Sequence, residues 1–175
     1  MRKPLFALVL AALLMASRLF AQEPETKITA QVPACPSTAT LDLLIKAIDD
    51  SITGPADKDR TCFRALFLPN ARLIPIRVAA DGTATPVVLG VEDWVNAVKK
   101  RGSDLVAEKQ LKVKSETWAH EAHLWSTYET KIGDKEADRG INSIQAIYDG
   151  KQWHVVEIVW QAESKTDPLP AQYLP

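Results

Sequence analysis

Residues 105–163 read as four consecutive β-strands, about 106–118, 121–132, 139–148 and 152–163, each rich in Val, Ile, Thr, Trp or Tyr. Gly133-Asp134 opens one connection and Asp149-Gly150 makes a tight turn in the next, so the strands follow one another as a meander. A sheet of this length needs a second layer over its apolar face, and the upstream half of the chain must supply it. Leu41, Leu44, Ile45, Ile48 and Ile52 recur at helical spacing behind Thr38 or Thr40 as a cap, and Gly54-Pro55 ends the run. A second, shorter helix is expected to begin near Asp57, carrying Cys62, Phe63, Leu66 and Phe67, and to stop at Pro69-Asn70. Residues 71–79 and 84–89 flank Asp81-Gly82 as a hairpin whose prolines favour a sheet edge. Residues 90–102 return to helix, with Val91, Trp94, Val95 and Val98 on one face, Glu92 and Asp93 in the first turn and Lys99, Lys100 and Arg101 in the last. The fold class is α+β: three N-terminal helices packed on a curved, mainly antiparallel sheet.

The N-terminus carries a different kind of information. Arg2-Lys3 precedes a run from Pro4 to Ala16 with only apolar residues, followed by Ser17-Arg18-Leu19-Phe20-Ala21 and the polar Gln22-Glu23-Pro24. That order is a secretory signal peptide, with cleavage expected after Ala21. The apolar run falls short of the roughly 20 residues a membrane-crossing helix needs, so no stable membrane anchor is expected after cleavage. The expected organisation is a signal peptide at 1–21, an extended segment at 22–37 with Pro24, Pro33 and Pro36, a domain at 38–163, and a Pro-rich tail at 164–175. The expected address is periplasmic or secreted.

Over the whole chain, 21 Lys+Arg face 22 Asp+Glu for a formal charge of −1; without residues 1–21 the count is 18 against 22, or −4 on 154 residues. No basic excess exists to neutralise a phosphate backbone, and none of the 7 glycines falls in a phosphate-loop pattern, which disfavours nucleic-acid and nucleotide binding. The two cysteines, Cys35 and Cys62, would meet an oxidising compartment, where an even count favours a disulfide tying the N-terminal segment to the first helical region. Such a bond is worth roughly 3 kcal/mol in the chain-entropy picture. Two independent buried thiols are the alternative.

Several strings resemble a known family. Phe67-Leu68-Pro69-Asn70-Ala71 before the first strand, Gly90-Val91-Glu92-Asp93-Trp94 opening the third helix, and Asp149-Gly150-Lys151-Gln152-Trp153-His154-Val155-Val156 near the end look like the nuclear-transport-factor-2-like superfamily. Arg139-Gly140-Ile141-Asn142-Ser143-Ile144-Gln145, followed by Trp160-Gln161-Ala162-Glu163, resembles secreted bacterial members of its SnoaL-like branch, which lack an assigned activity. The resemblance covers about 38–163. It implies a cone-shaped, cystatin-like α+β barrel whose mouth holds a pocket between helices and sheet. Superfamily members include ketosteroid isomerase, scytalone dehydratase, polyketide cyclases and association domains, so the fold selects no function. Their catalytic residues find no residue-by-residue match here.

The residues themselves offer limited chemistry. His120-Glu121-Ala122-His123 suggests a zinc site but fails on spacing, because the fourth position after His120 is Leu124 and a strand points His120 and His123 to opposite faces. No metal or cofactor is implied. Ser126 and Ser143 lie inside strands without a nucleophile elbow. Glu157 is the single charge in an otherwise apolar last strand; by strict alternation it shares a face with Val155 and Val159. If that face lines the pocket, Glu157 is the best candidate for a general acid or base; otherwise it is exposed or paired with a basic neighbour. Alternation also groups Ser126, Tyr128 and Thr130 on one face, and Ser143 with Gln145 on another, opposite Asn142. Trp94, Tyr128, Asn142, Gln145 and Glu157 are therefore the candidate ligand-binding residues. Three readings follow: an exported domain binding a small apolar or amphipathic molecule, an isomerase-, dehydratase- or cyclase-like enzyme using a pocket carboxylate, and a homodimerisation module.

Overall fold

The computed structural model describes residues 34–175 except 102, 103 and 134, so the expected signal peptide at 1–21 and the chain up to residue 33 lie outside the described residues. Helix α1 (Leu41–Ile52) starts at Thr40, whose hydroxyl oxygen accepts from the Leu43 N–H at 3.3 Å. Thr38 plays a different part, since it is buried and its hydroxyl donates to the Trp153 carbonyl at 2.8 Å. Helix α2 (Thr61–Ala65) is shorter than its apolar spacing predicts and starts later than Asp57. Asp59 sets the start by accepting from the backbone and hydroxyl of Thr61 at 2.8 and 2.7 Å. Phe67, expected in this helix, already belongs to strand β1 (Phe67–Val78), where pairing with Val155 captures it.

Strands β2 (Ala84–Pro86) and β3 (Leu89–Gly90) both pair with β1, and α3 (Val91–Lys99) follows. Strands β4 (Val106–Trp118), β5 (Glu121–Ile132), β6 (Lys135–Tyr148) and β7 (Trp153–Ala162) form the antiparallel meander. The sheet order is β2-β1-β7-β6-β5-β4, unclosed, with β1 and β7 parallel. The prolines therefore mislead for β1: only β2 takes the edge, while β1 lies inside the sheet with Pro75 opposite Trp160. The carbonyl of Pro75 is used, accepting from the Val87 N–H at 3.0 Å. Asn70, at φ 66°, turns the chain where the β1–β7 register shifts between Phe67 and Arg72.

The core lies between the helices and one face of the sheet, with Leu44, Ile48, Phe63, Val95, Leu124, Ile144 and Val155 at its centre. Phe63 stacks on Trp94 at 4.3 Å between ring centroids. Arg60 is only 2% exposed, and its guanidinium donates to the carbonyls of Ser51, Ile52 (2.8 Å) and Pro55 (3.2 Å). The Ser51 and Ile52 carbonyls are orphans of the last turn of α1, so a buried cation serves as the cap, and Pro55 lies in the loop just beyond it. Lys58 donates to Asp50 and Thr53 carbonyls at 2.6 and 2.7 Å from the outside. A disulfide joins Cys35 to Cys62, 27 residues apart, and fastens the segment before α1 to α2. The proline-rich end of the chain does more than its composition suggests. A 3₁₀ turn at Ala171–Tyr173 rests on the face of the sheet away from the helices, where Thr127 donates to the Tyr173 carbonyl and Lys112 to the Leu174 carbonyl, both at 2.6 Å.

Arg60→Ala leaves the Ser51 and Ile52 carbonyls without this donor, while Pro55 keeps the Lys58 N–H, and is expected to lower unfolding free energy by about 3 kcal/mol in urea titrations, with Arg60→Lys intermediate because a single nitrogen replaces the two that reach these carbonyls. Replacing both Cys35 and Cys62 by Ser is expected to cost about 3 kcal/mol in the same measurement, and alkylation without reductant should add no mass to the wild-type chain.

Candidate functional site

The concave face of the sheet is assembled from alternate residues of β4 to β7 and closed by the helices. Ile48 and Ile52 of α1, Phe63, Trp94, Leu73, Ile158 and Trp160 make the apolar part of a cavity of about 150 Å³. Glu108, Tyr128, Thr130 and Asn142 make its polar side, with Arg101 and Asp138 also on the lining. The backbone places Glu108 firmly: Gly54 and Val106 exchange N–H···O bonds of 2.8 and 3.2 Å, and the Glu108 N–H donates to the Thr53 hydroxyl at 3.0 Å. The end of α1 is thus pinned to the start of β4, and alternation from the buried Val106 turns Glu108 and then Gln110 inward.

Gln110 organises the polar groups. Its amide nitrogen donates to Asp49 at 3.1 Å and to Glu108 at 3.4 Å, while its amide oxygen accepts from Ser126 at 2.5 Å and Asn142 at 3.3 Å. The Gln110 backbone N–H donates to the second Asp49 oxygen at 3.0 Å. Thr130 donates to the other Glu108 oxygen at 3.2 Å. Burial raises the Asp49 carboxyl above its usual value, although the Gln110 hydrogen bonds pull the other way. Burial, with the Asp49 charge adding to it, pushes Glu108 up to about 7, so near neutrality the carboxyl exists in both protonation states. The Tyr128 phenol is raised as well, by burial first and then by the charges of Asp138 and Glu108, and stays a donor at any physiological pH. Gly140 makes room for it: a Cβ there would stand 2.8 Å from the Tyr128 hydroxyl and 2.1 Å from the Gln161 carbonyl oxygen.

Of the five candidate residues, Trp94, Tyr128 and Asn142 line this cavity. Gln145 and Glu157 do not: they pair with each other across β6 and β7 on the convex face. Gln145 is exposed, and the Glu157 carboxylate lies 2.5 Å from an Arg72 guanidinium nitrogen. The alternation argument fails at Val156, an extra residue in β7 where the register shifts between Gln145 and Ala146. The bulge puts Val155 in the core with Ile158 and turns Glu157 outward into its ion pair. The histidines are each engaged elsewhere, His120 with the Tyr148 carbonyl at 3.0 Å, His123 with Ser143 at 3.1 Å and His154 with Asp149 at 3.0 Å. Glu108 was hidden among Lys109, Lys112 and Lys114, in a run that reads as a solvated strand. Its signal was the shared parity of Val106, Glu108 and Gln110.

No family model matches the sequence, and no curated protein is similar to it. Solved structures do share the architecture. One is a protein of unknown function with a cystatin-like fold from Nostoc punctiforme, at 12% identity, 71% of this chain, 90% of that one and a TM-score of 0.55. Another is a nuclear-transport-factor-2-like protein of unknown function from Pseudomonas putida, at 13% identity, 77% and 94% coverage and a TM-score of 0.55. A third, from Novosphingobium aromaticivorans, is described as the β subunit of a putative aromatic-ring-hydroxylating dioxygenase, at 12% identity, 73% and 89% coverage and a TM-score of 0.57. The chain has the nuclear-transport-factor-2-like fold. At these identities the likeness concerns the fold alone.

The shift at Glu108 sets the sign of a pH effect. In the unfolded chain the carboxyl ionises near 4.5, whereas in the folded protein it holds its proton to about 7. Stability is therefore expected to be highest below the first value and to fall by about 3 kcal/mol as pH rises from it through the second. The raised Asp49 acts in the same direction. Glu108→Gln should flatten most of this slope and leave the variant more stable than wild type above neutrality, as read from urea unfolding between about pH 4 and pH 8.

Proposed function

We propose that this is an exported domain that binds a small uncharged molecule in the concave cavity, held between Trp94 and the polar group of Glu108, Tyr128 and Asn142. One observation carries the reading: Glu108 is kept in the interior, facing open space, at a pKa of about 7. A structural carboxylate at such a site would be paired with a cation or replaced by an apolar residue. Here its hydrogen-bond partners are the neutral Gln110 and Thr130, and the Arg101 guanidinium on the same lining offsets only part of the effect of burial. The cavity's 150 Å³ suits a ligand of about one small ring, comparable to an apolar cavity known to hold benzene. Tyr128 supplies a hydroxyl donor, and Glu108 donates when protonated or accepts when ionised, a pair suited to a carbonyl or hydroxyl compound. Export rests on the Arg2-Lys3 and apolar N-terminal pattern, and the Cys35–Cys62 disulfide is compatible with it.

The same carboxyl supports a second reading, a proton-transfer enzyme of the isomerase, dehydratase or cyclase kind in which Glu108, not Glu157, exchanges the proton. Native mass spectrometry of protein recovered from its own cell envelope is expected to reveal a retained small ligand, lost in Asn142→Leu. Absence of any adduct, together with no thermal shift from a set of single-ring carbonyl and hydroxyl compounds, would remove the binding reading. Deuterium wash-in from heavy water to a bound compound, present in wild type and lost in Glu108→Gln, would establish turnover.

A further inference from the structure

The sheet has a long open edge. Strand β4 ends the order β2-β1-β7-β6-β5-β4, and its last six residues, 113–118, are all exposed. The hydrogen bonds that tie the end of α1 to β4 stop at Gln110. Beyond it, every second residue of β4 turns its N–H and C=O away from β5, and none of these groups has a backbone partner among the described residues. Such an edge accepts another strand unless its side chains forbid the approach.

The side chains of this stretch do not forbid it. Val113, Ser115 and Thr117 stand opposite Ser126, Leu124 and Ala122, which are buried, so these three share the concave side. Lys112, Lys114, Glu116 and Trp118 share the convex side. The Lys112 ammonium donates to the Leu174 carbonyl at 2.6 Å, and the Lys114 ammonium lies 5.2 Å from the Tyr173 ring. Both lysines therefore lean onto the convex face and leave the edge itself uncovered. Two of the five large apolar side chains left exposed also lie here, Val113 at 39% and Trp118 at 76%.

A second copy can approach this edge antiparallel, about a two-fold axis normal to the sheet. That symmetry sets convex side beside convex side, so only residues of the same face oppose one another. With Val113 on the axis, Lys112 would meet Lys114 of the second copy. With Lys114 or Glu116 on the axis, each would meet itself. With Ser115 on the axis, Lys114 faces the second copy's Glu116 and Glu116 faces its Lys114. The same register sets Val113 opposite Thr117, a β-branched pair, and the aliphatic stem of Lys112 opposite the Trp118 ring. Axes nearer the hairpin tip leave fewer residues paired.

We propose that the β4 edge is a homodimer interface in which two copies pair antiparallel with Ser115 on the two-fold axis, so that one sheet runs through both. The occupant is a second copy because the charge pattern of residues 112–118 is complementary to itself in that register. The paired stretch stops short of Glu108, so the concave site lies outside it. One strand from each copy buries less than a standard interface, and the dimer is expected to be concentration-dependent.

Sedimentation velocity of the purified chain over a concentration series is expected to show a monomer–dimer equilibrium that salt weakens. Lys114→Glu or Glu116→Lys alone sets like charges opposite each other twice per dimer and should weaken association about tenfold or more. The double variant restores unlike pairs and should return association to the wild-type level. Both positions are exposed, so all three variants are expected to keep the wild-type melting temperature. Oxidation of Ser115→Cys should link the copies covalently. Val113→Cys should stay unlinked, because its counterpart in the second copy lies about 13 Å along the strand, beyond the reach of a disulfide. The proposal fails if the wild-type chain stays monomeric throughout its soluble range, if the double variant does not recover, or if Val113→Cys links as readily as Ser115→Cys. A dimer indifferent to either single reversal would place the contact on another surface and overturn the proposal as well.

Discussion

The end of helix α1 is tied to the first residues of β4 through Gly54 and Val106, through Thr53 and Glu108, and through Asp49 and Gln110. An unclosed sheet can flatten or slide against its covering helix unless backbone groups lock the two together. Here the lock uses the carbonyls and caps that a helix end must satisfy anyway. Arg60 completes it from the opposite side by serving the Ser51 and Ile52 carbonyls from the interior. The position of α1, the curvature it covers and the direction of the Glu108 side chain all depend on this junction.

That dependence links stability to chemistry. Gln110 joins α1 to β4, β5 and β6 through Asp49, Ser126 and Asn142, and the same amide holds one oxygen of Glu108. The site is therefore rigid for structural reasons, while the carboxyl it holds lies in an environment that disfavours its charge. A protonatable group fixed in place and poorly solvated is what ligand selection or proton transfer requires, and its cost appears as the expected loss of stability above neutral pH.

The two faces of the sheet divide the remaining roles. The concave face is closed by helices and opens onto a small polar-ended cavity. On the convex face, the Arg72–Glu157 pair occupies one region, and the C-terminal segment borders a half-open apolar groove in another. A tail that looks disposable by composition thus packs on the sheet over the buried Thr127.

Helix α1, helix α3, the Asp81-Gly82 hairpin, the four-strand meander and the disulfide were all readable from periodicity, turn residues and cysteine count. These are local properties, determined within a few residues of chain or by simple pairing. The inward placement of Tyr128 and Asn142 was equally legible, because alternation is unbroken through those parts of β5 and β6. Three things were decided only by tertiary structure. The β1–β7 pairing took Phe67 from α2 and put a proline-bearing strand inside the sheet. The bulge at Val156 reversed the face of Glu157. Glu108, set among lysines on an edge strand, became the buried carboxyl because α1 docks over it. Which face of a strand is covered, and by what, is a property of long-range packing, and a single inserted residue changes it without altering the composition of the strand.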